Sequence, residues 1–170
     1  MRYFYDTEFI EDGRTIELVS IGIVAEDGRE YYAVSTDFDA SRANAWVRDN
    51  VLDKLPNPGA PVWRSLDTIR AEVLAFLTSA RDGDPELWAW VGAYDHVVLA
   101  QLWGDMAGLP RVIPRYTREL KQYWEMAGRP HLPKAPDASH DALVDARHNL
   151  EKFRLCAEIL PLGRGNRVLR

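Results

Sequence analysis

The 170 residues include one cysteine, Cys156, which excludes an internal disulfide and with it a small disulfide-stapled scaffold. No apolar run approaches the roughly 18 residues that a membrane-crossing helix needs; even VGAYDHVVLAQLW is interrupted by Asp95, His96 and Gln101, so no membrane partner is expected. Positive charge is not in excess. Twenty-one Lys and Arg stand against 26 Asp and Glu, a formal net charge of −5, which argues against a uniformly basic coat for nucleic acid and leaves room for a local patch. The opening MRYFYDTEF has acidic residues where a secretory segment has its apolar stretch, so a cytoplasmic protein is expected. There is no internal repeat and no low-complexity tract. What is present, 46% hydrophobic and 28% charged residues, is the balance of a globular chain able to bury a core. A single domain over 1–170 is expected, with a basic, glycine-containing flexible tail from about 161.

Tyr3 to Phe9, Glu17 to Val24 and Glu30 to Ser35 are rich in β-branched and aromatic residues and are separated by Asp12-Gly13 and Asp27-Gly28, turn dipeptides that predict three consecutive antiparallel strands. Ser65 stands at an N-cap position, and Leu66, Ile69, Val73, Phe76, Leu77 and Ala80 form one face of a helix ending near Arg81, stopped by Asp82-Gly83-Asp84-Pro85. Glu86 to Val91 predicts a buried strand, followed through Gly92 by a helix from about Tyr94 to Trp103. Tyr116, Leu120, Tyr123, Trp124 and Ala127 read as a further helical face, and Leu143, Leu150, Phe153, Ala157 and Leu160 as a long last helix. Val51 to Pro61, with three prolines and a glycine, is a connection. The order describes an α/β fold with a mixed sheet.

Certain polar residues are not accounted for by packing. Asp6 and Glu8 lie two apart on the first strand, so both carboxylates leave the same face about 7 Å apart. The plain alternative is a solvated face on an edge strand, but Tyr3 and Tyr5 on one side and Phe4 on the other suggest a strand inside the sheet, where an ionised pair needs a cation. Asp95 follows a buried strand at a strand-to-helix turn, where open α/β sheets place ligands, although a helix N-terminus alone also favours aspartate. His140 and Asp145 lie five apart at the start of the last helix, in Ser139-His140-Asp141-Ala142-Leu143-Val144-Asp145, and span about one and a half turns over one pocket; His140 as a simple capping residue is the alternative.

In order and spacing, Asp6-Thr7-Glu8, Asp95 and His140 with Asp145 resemble the three motifs of the DEDDh 3′-to-5′ exonucleases, and DTEF in a chain of this length resembles the small actinobacterial polyadenylate-specific exoribonucleases. The likeness runs from Tyr3 to about Phe153. One departure is Val91, where many relatives carry asparagine, and it bears on substrate contacts. The resemblance implies an RNase H-like fold with helices on both faces of the sheet. It implies a metal-dependent 3′-to-5′ exoribonuclease that releases nucleoside 5′-monophosphates from single-stranded RNA 3′ ends, with adenylate tails as the preferred substrate. Two Mg2+ ions, replaceable by Mn2+, would sit about 3.5–4 Å apart among Asp6, Glu8, Asp95 and Asp145. His140 would be the general base.

Substrate contacts are expected at Thr7, Glu8 and Phe9, whose ring can stack on or wedge beside a base or else fill the core, and at Ser65 and Trp63, although a cap and a core ring are equally natural readings of those two. Between Arg111 and Lys134 six basic residues face two acidic ones, a candidate RNA path, and the resemblance implies a homodimer in which such a patch serves the other subunit's site. His148 reads as a solvated helix residue or a neighbour of the site. Two other functions stay open: a 3′-to-5′ DNA exonuclease of proofreading type, which differs only in how closely the pocket approaches the 2′-hydroxyl, and a non-catalytic RNA-binding module, for which a repulsive acidic cluster would bring no gain.

Overall fold

The structure, a computed structural model, describes residues 1–80, 83–137 and 140–163. The predicted helix end at Arg81, the turn residue Asp82, Ser139 and the tail from 164 to 170 lie outside the described residues. Six strands form one mixed sheet: β1 (Arg2–Glu11), β2 (Ile16–Ala25), β3 (Glu30–Ser35), β4 (Trp63–Arg64), β5 (Glu86–Ala89) and β6 (Arg118–Glu119), in the order β4-β3-β2-β1-β5-β6. As the hairpin dipeptides predict, β1, β2 and β3 are antiparallel, while β5 runs parallel to β1 and β6 parallel to β5. The helices are α1 (Ala45–Asn50), α2 (Leu66–Thr78), α3 (Ala93–Gln101), α4 (Leu120–Met126) and α5 (Ala142–Ile159).

Alternation along β1 divides the core. Tyr3 and Tyr5 face α2 and α3, meeting Ile69, Val73, Leu77, Val98 and Leu99, whereas Phe4 faces α4 and α5, meeting Leu120, Tyr123, Leu150 and Phe153. Both faces are therefore covered by helices, and the central strand is aromatic from Tyr3 to Tyr5, just before Asp6. Each large side chain so buried contributes roughly 1.5–3 kcal/mol against the entropy of ordering the chain.

Several local readings need correction. Tyr116 is not helical and is exposed: Arg118–Glu119 extends to pair with the open edge of β5, and α4 begins only at Leu120. β5 ends at Ala89, because Val91 takes a left-handed conformation (φ 57°), and α3 ends at Gln101, two residues before Trp103. The segment before the proline-rich connection contains α1, which seals a small cluster of Ile10, Val19, Val47 and Val51. His148 is buried, not solvated.

One glycine fixes the position of the last helix. A Cβ on Gly22 of β2 would lie 2.3 Å from the carbonyl oxygen of Ala142 and 2.4 Å from Leu143 Cα, so only glycine lets the first turn of α5 lie directly on the sheet. The alternative is backbone displacement. Gly22→Ala is therefore expected to destabilise the fold by about 3 kcal/mol, at the upper end of overpacking effects. In urea unfolding this is a lowered midpoint with an unchanged slope; a midpoint equal to wild type would show that α5 is not seated by this contact.

Candidate active site

A cavity of about 480 Å³ opens where the end of β1, the first turn of α3 and the start of α5 meet; Asp6, Glu8, Asp95, His140 and Asp145 all line it. Asp6 and Glu8 come from the α5 face of β1. A β-bulge follows: Glu8 pairs with Ser20 but Phe9 with Leu18, which leaves Val19 out of register and twists the strand just past the carboxylates.

Asp95 is supplied by the turn after β5. Its Oδ1 accepts from the backbone N–H of Thr7 at 2.8 Å and the Thr7 hydroxyl at 2.7 Å, which fixes the carboxylate against β1. The turn is strained, since a β-branched residue at positive φ is unfavourable, and Glu119 holds it: Val91 N–H and Gly92 N–H donate to the two oxygens of its carboxylate at 2.8 and 3.0 Å.

The start of α5 is capped by Asp141, which accepts from the N–H groups of Leu143 and Val144 at 3.0 and 3.1 Å, so His140 is not the cap. His140 sits just outside at φ 69°, its N–H donating to Asp145 Oδ2 at 2.7 Å. Its ring meets the face of Trp46 edge-on, centroids 4.9 Å apart. Ligand atoms of Glu8, His140 and Asp145 all lie within 4.8 Å of one another, a group that can hold a metal ion.

Burial and mutual repulsion act together on these acids. Burial, then Asp145, Asp95 and Asp141, push Glu8 up to about 8; burial is also the main cause that raises Asp95 to about 6, against the lowering effect of the Thr7 hydrogen bonds. Asp6 is raised well above the ordinary range by burial and by Asp95, Glu8 and Asp145. Acids held in this way suit a hard divalent cation, which would offset both penalties; among the described residues the ligand atoms close enough to share one ion are those of Glu8, His140 and Asp145.

Of the expected substrate residues, Thr7, Glu8 and Phe9 line the cavity, and Phe9 stacks on exposed Tyr94 at 5.7 Å. Trp63 and Ser65 do not. Trp63 lies at the opposite sheet edge, its indole N–H shared between the Pro56 and Asn57 carbonyls and its ring against Phe38, and the Ser65 hydroxyl caps α2 through Thr68 N–H at 3.3 Å. In the basic stretch, Arg118 pairs with Glu86, Arg129 with Glu125 and Lys134 with Asp137. Sequence reading missed Asn44, Trp46, Trp90, Asn149 and Lys152, which also line the cavity. Asn149 and Lys152 carried a signal, four and seven residues after Asp145 on one helix face.

Residues 1–157 match the family described as the 3′-5′ exoribonuclease Rv2179c-like domain. The chain is 61% identical over 165 residues to the 3′-5′ exoribonuclease Rv2179c of Mycobacterium tuberculosis (strain ATCC 25618 / H37Rv), covering 97% of this chain and 98% of that protein. The same figures hold for the 3′-5′ exoribonuclease MT2234.1 of strain CDC 1551 / Oshkosh. Among solved structures, the fold is similar to E. coli ExoI in its zinc-bound complex with single-stranded DNA (TM-score 0.59, 14% identity, 94% of this chain and 41% of that one). It is also similar to a 3′-exonuclease described for specific recognition of histone mRNA stem-loop (TM-score 0.58, 10% identity, 92% and 81%). The mixed sheet is thus the RNase H-like fold of exonucleases.

The raised acids give a pH dependence of definite sign. Glu8 in the folded protein holds a proton that the unfolded chain releases near 4.5, so its contribution is present at low pH and lost as pH rises towards about 8. Asp95 acts likewise between 3.8 and about 6. His96 and His148, both lowered by burial, oppose this only below their ordinary 6.5. In chelator, the melting temperature is expected to fall from pH 6.5 to 8, and Glu8→Gln to flatten that fall. A wild-type profile that rises over this interval would contradict the assignment.

Proposed function

The chain belongs to the Rv2179c-like 3′-5′ exoribonuclease family, and from that premise we propose that it removes nucleotides from the 3′ end of single-stranded RNA in the cavity between β1, α3 and α5. The observation that carries the reading is the convergence of Asp6, Glu8, Asp95, Asp145 and His140 on that cavity from three separate elements. Nothing in the fold requires such a cluster, and its buried acids weaken the protein until a cation joins them.

Asp6, Glu8, Asp95 and Asp145 would hold the divalent ions, two Mg2+ in our reading with Mn2+ as a substitute. When bound, these supply positive charge to a phosphate that four carboxylates would otherwise repel. The chain's own residues do the rest. His140, just outside the helix, accepts the proton of the attacking water. The water oxygen bonds to phosphorus as the bond from phosphorus to the 3′ oxygen of the preceding nucleotide breaks; that oxygen keeps the bonding pair and takes a proton from solvent to become the new 3′-hydroxyl, and a nucleoside 5′-monophosphate is released. Thr7 presents strand β1 to the terminal ribose, and the Phe9 ring, backed by Tyr94, stacks on a base. Trp63 and Ser65 take no part in this scheme, because their polar atoms are used in the scaffold.

The continuous sheet supports a single exoribonuclease domain. A preference for adenylate tails and a homodimer belong to the same reading and rest on family likeness; a cytoplasmic setting is part of the proposal without that support. Among the described residues no helix is long and apolar enough to cross a membrane.

Labelled 3′-tailed RNA and matched DNA, incubated with Mg2+ and with chelator, test the proposal. RNA should shorten from its 3′ end only with Mg2+; undiminished cleavage in excess chelator, or preferential loss of DNA, would overturn it. The base role has its own test. His140→Ala is expected to slow turnover by roughly 10²- to 10⁴-fold while Mg2+ still binds in calorimetry. Loss of the metal together with His140 would make the histidine a ligand instead.

A further inference from the structure

Lys152 is the one ammonium or guanidinium side chain lining the cavity among the described residues. It belongs to α5, two turns after Asp145. Its Nζ donates to Asn149 Oδ1 at 3.1 Å and lies 4.5 Å from the centroid of the Trp90 ring. The orientation of Asn149 is determined by its surroundings: Asn149 is 1% exposed, and its Nδ2 donates to the Tyr5 carbonyl at 3.3 Å, which leaves Oδ1 facing the lysine. The ammonium is thus anchored through a buried amide to the same strand that carries Asp6.

Placed beside an acidic cluster, a lysine normally closes a salt bridge. Among the described residues this one does not: no carboxylate oxygen lies within 4.0 Å of Nζ, although Asp6 and Asp145 line the same cavity. The ammonium has three N–H groups, of which Asn149 takes one and the Trp90 face attracts the charge, so donor capacity remains. A cation that is fixed, close to the acids and in direct contact with none of them is suited to an anion that enters from outside.

We propose that Lys152 is a binding residue for a phosphate oxygen of the terminal nucleotide. The inference rests on reading the cavity as the exoribonuclease site. Strong ligands for metal ions repel the substrate's own charge, and a cation held apart from them gives the phosphate a donor that metal binding does not use. A second consequence follows from Coulomb's law: in the free protein Lys152 and an arriving Mg2+ repel each other, so removal of the lysine leaves metal affinity unchanged or raises it.

Lys152→Met, Lys152→Arg and Lys152→Gln are the variants to compare with wild type; the last keeps a donor for Asn149 if the apolar chain is not tolerated. In Lys152→Met, kcat/KM on RNA is expected to fall roughly 10- to 100-fold, the loss of one charge-assisted hydrogen bond. The slope of log kcat/KM against log salt should become shallower by about 0.7, the share of one phosphate contact on a single strand. Lys152→Gln should behave similarly, and Lys152→Arg should retain both values to within a few-fold. Calorimetry without RNA should show Mg2+ bound no more weakly than in wild type. With Mg2+ present, adenosine 5′-monophosphate should bind Lys152→Met at least tenfold more weakly than wild type, whereas adenosine should bind both alike. An unchanged kcat/KM and salt slope would overturn the proposal, and so would an equal loss for adenosine or a parallel loss of Mg2+ affinity. If wild type does not degrade RNA, the exoribonuclease reading fails, and the nucleotide-binding comparison still decides the role of Lys152.

Discussion

Four carboxylates share one cavity, and the cost of burying them side by side is the constraint on which the surrounding structure depends. A folded chain gains nothing by bringing Asp6, Glu8, Asp95 and Asp145 together in a half-buried space; burial penalises their charged forms, and each acid that ionises adds to the penalty on its neighbours. Such a cluster persists because the scaffold around it is stable enough to hold it. That scaffold is apolar and two-sided. Tyr3, Phe4 and Tyr5 are buried against helices on both faces immediately before the strand turns acidic.

The elements that carry the acids are themselves held by close contacts. Gly22 seats the first turn of α5 on β2, and with it Asp141, Asp145 and the left-handed His140. On the other side, the Glu119 carboxylate draws together the amides of Val91 and Gly92, so the strained turn after β5 delivers Asp95 to Thr7. Local strain at Val91 and His140 lies where the chain changes direction towards the cavity, which is where strained backbone is commonly found in functional sites. Lys152 and Asn149 bind α5 back to β1 through the Tyr5 carbonyl, so one helix supplies an acid and a cation to the same space.

Much of this was legible in the sequence, for identifiable reasons. Strand alternation in Tyr3–Phe9 and the Asp-Gly turns expose the hairpins directly, and helical spacing marks α2 and α5. The acids stood out because Asp-x-Glu in an apolar strand and His140 with Asp145 at a helix start have no packing role. Other features had no such signal. The six residues of α1 are too few for a periodicity, so Trp46 beside His140 was invisible. Tyr116 matches the helical spacing of Leu120 and Tyr123 by coincidence, because pairing of Arg118–Glu119 to the edge of β5 depends on a strand distant in sequence. For Trp63 and Ser65 the sequence leaves a ligand contact and a plain ring beside a cap equally open; three-dimensional structure directs their polar atoms to Pro56, Asn57 and Thr68.

On the proposed function, Asp6 is placed for cations and not for the stability of the fold. A thermal melt of Asp6→Asn beside wild type, each with chelator and with Mg2+, addresses that claim directly. The substitution nearly preserves shape and removes an acid whose charged form is penalised by burial and by its neighbours. In chelator the variant should melt higher than wild type, and it should lose most of the stabilisation that Mg2+ gives wild type by mass action. A variant that melts lower than wild type in chelator, or gains as much from Mg2+, would show that Asp6 is a structural hydrogen-bonding residue and that the cavity is not built around a metal site.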